Sequence, residues 1–299
     1  MADVLITAIQ QGLALISATP STSAERPLLH HNLCINYREL HQYSHDPAHL
    51  DEAVAHGEEA IALLAAADGA RPFALFTTAL AGAGRYRATG HPSDIDRAVE
   101  LGQEAATGLA DDDPARPEIL HHLSIHLTDR YRRAGNPDDI TRAVEAARLA
   151  VSTIPDWSPD RARGLANYSR RLRDLHRLTD TEEDLRLAIT AARQTLIAAG
   201  DDDPERHAHL GHYGSLLTAL FERTGDVDTL RAALASTTEA LGLAPAGHPA
   251  ERRHARSVHA QLTRLAEITD DPVYARRAET VAARYPDRPG ESPAPGDDD

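Results

Sequence analysis

Seventeen histidines stand in a 299-residue chain that carries a single cysteine, Cys34. His122 and His126 are four apart, so on a helix both imidazoles share a face and can chelate a metal ion. His207, His209 and His212 form a second cluster. The zinc-protease pattern His-Glu-x-x-His is absent, so histidines on the surface or between helices, holding no metal, are the favoured reading. The triplets Asp111-Asp112-Asp113 and Asp201-Asp202-Asp203 could draw a divalent ion. They stand just ahead of Pro114 and Pro204, however, and carboxylates suit a helix N-terminus. No glycine-rich phosphate loop and no Gly-x-Ser-x-Gly nucleophile elbow occurs, so neither a cofactor nor a metal is expected. One cysteine can form no intrachain disulfide and no cysteine-based zinc site.

The arginines are more informative. Arg163, Arg170, Arg173 and Arg177 fall within a sector of about 80° when successive residues are rotated as on a helix. Arg132 and Arg87 hold the register of Arg177 one and two steps of 45 residues upstream. A forked guanidinium pairs bidentately with carboxylate and phosphate, so these six residues form a candidate anion-binding patch. Asp174 and the run Glu182-Glu183-Asp184 are available as internal partners, which would make the same face an ion-paired, solvated one. A second set, Arg26, Arg71, Arg116, Arg161 and Arg206, recurs strictly at 45 residues. Such strict periodicity favours a structural role, bridging neighbouring units through carboxylates or helix-end carbonyls.

The formal charge is −15 and every basic residue is arginine. Non-specific nucleic-acid binding needs a net basic footprint, so nucleic acid is not an expected partner. No run approaches the roughly 18 apolar residues that span a bilayer. The segment 4–16 is apolar, but it lacks a basic flank and falls in register with later helices, so it reads as structure rather than as a signal peptide. A reducing cytoplasm is the expected setting.

The elements that must carry these side chains repeat. In Pro137 to Val151, Ile140, Ala143, Val144, Ala147, Ala150 and Val151 form one helical stripe. Steps of 45 from Ala143 land on Ala8, Ala53, Ala98, Ala188, Ala233 and Ala278. A fixed period in this range predicts a stacked array of helical hairpins. The reading is an all-α solenoid of thirteen helices over residues 1–285: an initial half repeat at 3–17, then six repeats from about 24 to 284. Residues 286–299, rich in Pro, Gly and Asp, read as a disordered acidic tail. Each first helix has a central column of Leu33, Thr78, Leu123, Tyr168, Tyr213 and Val258, followed by a mostly small residue: Cys34, Ala79, Ser124, Ser169, Gly214 and His259. Small residues let helix backbones approach. The repeat beginning at Phe73 is the weakest copy, because Gly82 and Gly84 lower helix propensity.

The helix pattern resembles tetratricopeptide repeats (TPR). Leu120, Leu123, Ser124 and Leu127 match the family's first-helix signature, as do Leu210, Tyr213, Gly214 and Leu217. The family's paired second-helix alanines match Ala53 with Ala60, Ala98 with Ala105, Ala143 with Ala150, and Ala233 with Ala240; Thr195 departs from it. The family period is 34, so each repeat here is longer. The string from Arg130 to Val144 looks like the long repeats of actinobacterial arrays that accompany caspase-like protease domains. No protease domain is expected in this chain, and Cys34 falls at a packing position.

The resemblance places the first helices on a concave groove that binds a protein or peptide. With the arginine patch in that groove, an acidic peptide or a terminal carboxylate is the expected complement, and a non-catalytic adaptor or scaffold the expected function. Two alternatives stay open. One is a small-molecule-binding or catalytic solenoid using Arg and His side chains. The other is a self-association module, in which the N-terminal half repeat docks on a second copy as a homodimer.

Overall fold

The computed structural model describes residues 1–286, and the acidic tail read at 286–299 lies outside them but for Pro286. The described residues form thirteen α-helices and no strand. The chain makes two compact units, the first Met1–Ile154 and the second beginning at Pro155. The first holds α1 (Ala2–Ala18), α2 (Arg26–Ser44), α3 (Ala48–Leu63), α4 (Arg71–Thr89), α5 (Pro92–Thr107), α6 (Arg116–Ala134) and α7 (Pro137–Thr153). The second holds α8 (Arg161–Thr179), α9 (Glu182–Ala199), α10 (Arg206–Thr224), α11 (Val227–Leu243), α12 (Pro249–Thr269) and α13 (Pro272–Arg284). Within each unit, successive helices pack as antiparallel hairpins stacked on one another, which is α-solenoid construction.

Local chemistry sets the hairpin turns. Every first helix ends on a left-handed residue, and these are 45 apart: His45, Gly90, Gly135, Asp180, Gly225 and Asp270. Gly takes that conformation without a Cβ penalty; in the other three repeats Asp or His takes it, at φ between 52° and 57°. In four of the six hairpins the next helix then starts on a side-chain cap. Asn136, Asp226 and Asp271 accept the amide two residues on, and Thr181 accepts that of Asp184.

The column of small residues is fully buried at Cys34, Ala79, Ser124 and Ser169. Gly57 on α3 lies so close to α4 that an added Cβ would stand 2.2 Å from Thr78 Oγ1. α4 runs unbroken through Gly82 and Gly84, with Ala74, Leu75, Ala79, Ala81 and Ala83 all in the core. Ile95, Leu101, Ile119, Leu127 and Ala143 continue that core through the first unit, and Leu230, Val258, Leu262 and Leu265 anchor the end of the second.

Candidate functional site

The strictly periodic arginines are structural. Arg26 donates to the carbonyls of Ile16 and Thr19 at 2.9 and 2.7 Å, closing the end of the preceding helix. Arg71 repeats this with Ile61 and Leu64 and forks onto Glu104. Arg116 reaches the Ala106 carbonyl, and Arg206 those of Leu196 and Gly200. The acidic triplets serve the same turns: Asp111 and Asp201 pair with Arg116 and Arg206, while Asp113 and Asp203 accept backbone amides.

A further pairing is legible in the string from Arg130 but was not anticipated from it. Arg130 grips Asp139 through two hydrogen bonds of 2.9 and 2.6 Å, and Arg85 grips Asp94 at 3.0 and 2.7 Å. The Asp139 and Asp94 side chains are only 2% and 7% exposed. Each pair locks a first helix to its own second helix. The signal was an arginine and an aspartate nine residues apart, at the same register in two consecutive repeats.

In the first unit, Arg87 and Arg132 converge on one carboxylate. Asp129 lies 3.2 Å from Arg87 and 3.8 Å from Arg132. Arg87 also lines an open cleft of about 740 Å3 formed by α2, α4 and α6 with Leu50 of α3 beneath. Its floor is Leu50, Phe76 and Leu80, with Gly84 leaving room beside them. Its rim is Arg38, His41, Arg87, Glu118 and His122. His122 packs its ring against Phe76 and meets Glu118 through Nε2 at 3.1 Å. The Nε of Arg38 is buried without a hydrogen-bond partner among the described residues. Arg38, His41 and Phe76 were missed in the sequence. Arg38 stands three periods of 45 upstream of Arg173, so extending that register would have found it.

In the second unit, Arg163, Arg170, Arg173 and Arg177 all lie on α8, but they are not equally accessible. Arg163 is exposed and pairs with Asp160 at 3.0 Å; Arg177 is exposed and lies 3.9 Å from Asp174. Arg170 is half-buried. Arg173, expected to share a groove-lining face with the other three, is the most buried of the four. It is 5% exposed, with Asp174 at 3.6 Å and His212 Nδ1 at 3.5 Å. Helical rotation alone cannot tell which edge of the sector the next hairpin covers. Asp174 lies within 4.0 Å of Arg171, Arg173 and Arg177 together, so part of the patch is internally neutralised.

Among the described residues, no group of three His, Cys, Asp or Glu side chains could hold a metal ion. His126 is wholly buried against the Ala98 backbone, and desolvation pushes its pKa down to about 3. His207 packs with His248 and His254, and His212 hydrogen-bonds Ser169 Oγ at 2.8 Å. Burial pushes the Cys34 thiol up to about 12, so it is a packing group rather than a nucleophile.

No protein-family model matches the sequence, and no curated protein matches it. Solved structures do. BtubC (BKLC) from P. vanneervenii matches with a TM-score of 0.51 at 18% identity, over 84% of this chain and 98% of that one. Kinesin light chain TPR-like repeats from Podosopora anserina match at 15% identity and a TM-score of 0.43, over 89% of this chain and 100% of theirs. A thermophilic TPR protein of Thermus thermophilus, TTC0263, matches at 18% identity and a TM-score of 0.35, over 68% of this chain and 95% of its own. The last two are described as TPR or TPR-like repeat proteins, and the likeness to BtubC shows a shared fold. No helix among the described residues is long and apolar enough to cross a membrane.

Proposed function

We propose that this protein is a non-catalytic scaffold, acting in a reducing cytoplasm, that binds an acidic or carboxylate-bearing segment of another protein. The observation that carries this reading is the cleft of α2, α4 and α6. Its apolar floor of Leu50, Phe76 and Leu80 suits a side chain of the bound segment. Arg38 and Arg87 at its rim offer guanidinium donors on a chain whose net charge is −15. Arg132 extends that edge beside Arg87, and Arg163, Arg170 and Arg177 on α8 form a second basic face. The TPR-like fold supports the reading, since such hairpin stacks present broad binding surfaces. The 45-residue repeat and its likeness to arrays that accompany caspase-like proteases make a partner of that kind part of the proposal.

The test is an array of Asp- and Glu-rich peptides, with and without an aromatic residue, titrated at low and high salt. Binding is expected for aromatic-bearing acidic peptides and should weaken as salt rises, because partly exposed charges are screened. Arg38→Ala with Arg87→Ala should weaken it about tenfold or more. Arg163→Ala with Arg177→Ala asks the same of α8. If neither double variant alters affinity while helix content is intact, the ligand binds elsewhere.

One observation favours self-association as a second reading. On α7 the column Asp139, Ala143, Ala146 and Ala150 is covered, none being more than 5% exposed. The same column on α1 ends in Val4 and Leu15, which are 66% and 54% exposed. A second copy packed on α1 would cover them. Light scattering of the wild type against Val4→Glu with Leu15→Glu decides this: a wild-type dimer that becomes monomeric supports it, and a monomeric wild type rejects it.

A further inference from the structure

A second cleft lies wholly within the second unit. It is formed by α10, α11 and α12 and has a volume of about 610 Å3. Phe221, Leu230 and Ala219 supply its apolar wall, and Ser215, Thr218, Ser257, Gln261 and Glu222 its polar one.

The hydrogens of that polar wall are already committed. Ser215 donates to the His212 carbonyl at 2.7 Å, Thr218 to Gly214 at 3.0 Å, and Ser257 to Arg253 at 3.2 Å. A serine or threonine hydroxyl has one hydrogen and two lone pairs, so each faces outward as an acceptor. Gln261 is 4% exposed. Its Nε2 donates to Thr218 Oγ1 at 2.9 Å and to Thr237 Oγ1 at 3.2 Å. Thr237 also spends its hydrogen, on the Ala233 carbonyl. Both hydroxyl oxygens can therefore only accept from Gln261, and this sets the orientation of its amide. Its Oε1 is left as a buried acceptor with no donor among the described residues. Leaving such a group unsatisfied is costly, and a ligand donor relieves that cost once a small shift of the Gln261 side chain, which lines the cleft, opens Oε1 to it. Glu222 adds a carboxylate at the mouth. Among the described residues lining the cleft the cationic one is Arg264, which pairs with Glu267 at 3.1 Å and stands over the Phe221 ring, 6.0 Å from its centroid.

We propose that this cleft is a binding site for a donor-rich cation, namely the guanidinium of an arginine side chain on a peptide or protein partner. A guanidinium offers five N–H groups and no acceptor, the complement of a wall that offers acceptors. Arg264 over Phe221 shows that this ring accepts a guanidinium, and the ligand takes that place by displacing Arg264 toward Glu267. The negative charge of the whole chain favours a cation. This site belongs to the second unit and does not depend on what the cleft of α2, α4 and α6 binds.

The experiment is an NMR titration of the full chain with N-acetyl-arginine-N-methylamide, its citrulline and glutamate analogues, free arginine amide, and a short arginine-centred peptide. The arginine compounds should shift the Thr218, Ala219 and Leu230 signals saturably. Citrulline, which keeps the shape and loses the charge, should bind about tenfold more weakly, and the glutamate analogue should not bind. The peptide should bind more tightly than arginine amide; the reverse order would make this a free-metabolite site and overturn the assignment to a partner. Gln261→Met should weaken the arginine compounds about tenfold. Glu222→Gln, an exposed change that leaves packing alone, should weaken them a few-fold. Absence of shifts at these residues, equal binding of all three analogues, or unaltered binding by Glu222→Gln would overturn the proposal.

Discussion

Arg130 and Asp139 hold a first helix to its partner helix through a forked pair whose carboxylate is almost inaccessible to water. Removing one member strands the other charge, so Asp139→Ala should destabilise the protein by about 3 kcal/mol or more. Arg130→Met with Asp139→Leu, which removes both charges, should recover most of that loss. Urea unfolding of the four-member cycle measures this; an additive double variant would show that the pair does not couple. His126 makes a pH prediction. Its folded pKa of about 3 lies below the ordinary value of 6.5. Between those values the unfolded chain binds a proton that the folded one does not, so stability is full above 6.5 and is lost as pH falls towards 3. The slope from this residue is roughly 1.4 kcal/mol per pH unit. Burial also holds His30, His31, His56 and His209 low, which adds to the trend. Unfolding free energies at pH 7 and pH 5 should differ in that direction, and His126→Asn should flatten the dependence.

Among the helices, spacing is a matter of single atoms. Gly57→Ala would place its Cβ 2.2 Å from Thr78 Oγ1, so α3 and α4 must part. A loss of about 1–3 kcal/mol is expected. Gly242 on α11 has open space where a Cβ would go. Gly242→Ala should therefore stabilise the protein, by up to about 1 kcal/mol, through helix propensity alone. Melting curves of the two variants should move in opposite directions. A shift of the same sign in both would show that the α3–α4 approach is not tight. The left-handed residues that end the first helices work at this scale too: Gly135 and Asp180 turn the chain alike, although only the first is free of Cβ strain.

For the molecule, each helix leans mainly on its neighbours in the stack, so damage should stay local before it becomes global. Leu185 on α9 is fully buried. Leu185→Asp should cost several kcal/mol, because it forces a carboxylate into an inter-helix core. Hydrogen exchange should rise first in α8, α9 and α10. A uniform rise across α2 to α5 as well would mean that the array unfolds as one cooperative body. The two clefts make the largest-scale functional expectation: one rimmed by guanidinium donors, the other walled by acceptors, on a chain of strong negative charge.

The order of amino acids was enough to specify the thirteen helices, their 45-residue register, and the places where they start and stop. Those depend on local matters: a stripe at helical spacing, a capping side chain two or three residues ahead of an amide, and a left-handed residue after the last turn. The role of the Arg26 column was legible for the same reason, since the helix-end carbonyls it binds lie within ten residues of each arginine. The rest was settled by packing. Arg173 and Arg177 are four apart on one face, yet one is buried against His212, thirty-nine residues away, and the other stays in solvent. Phe76 comes to pack against His122 in a cleft that Arg38 also lines, and Gln261 to meet Thr218 and Thr237. A helix turns its residues through known angles, but which of them meet depends on how its neighbours pack, and small side chains far along the chain set that distance.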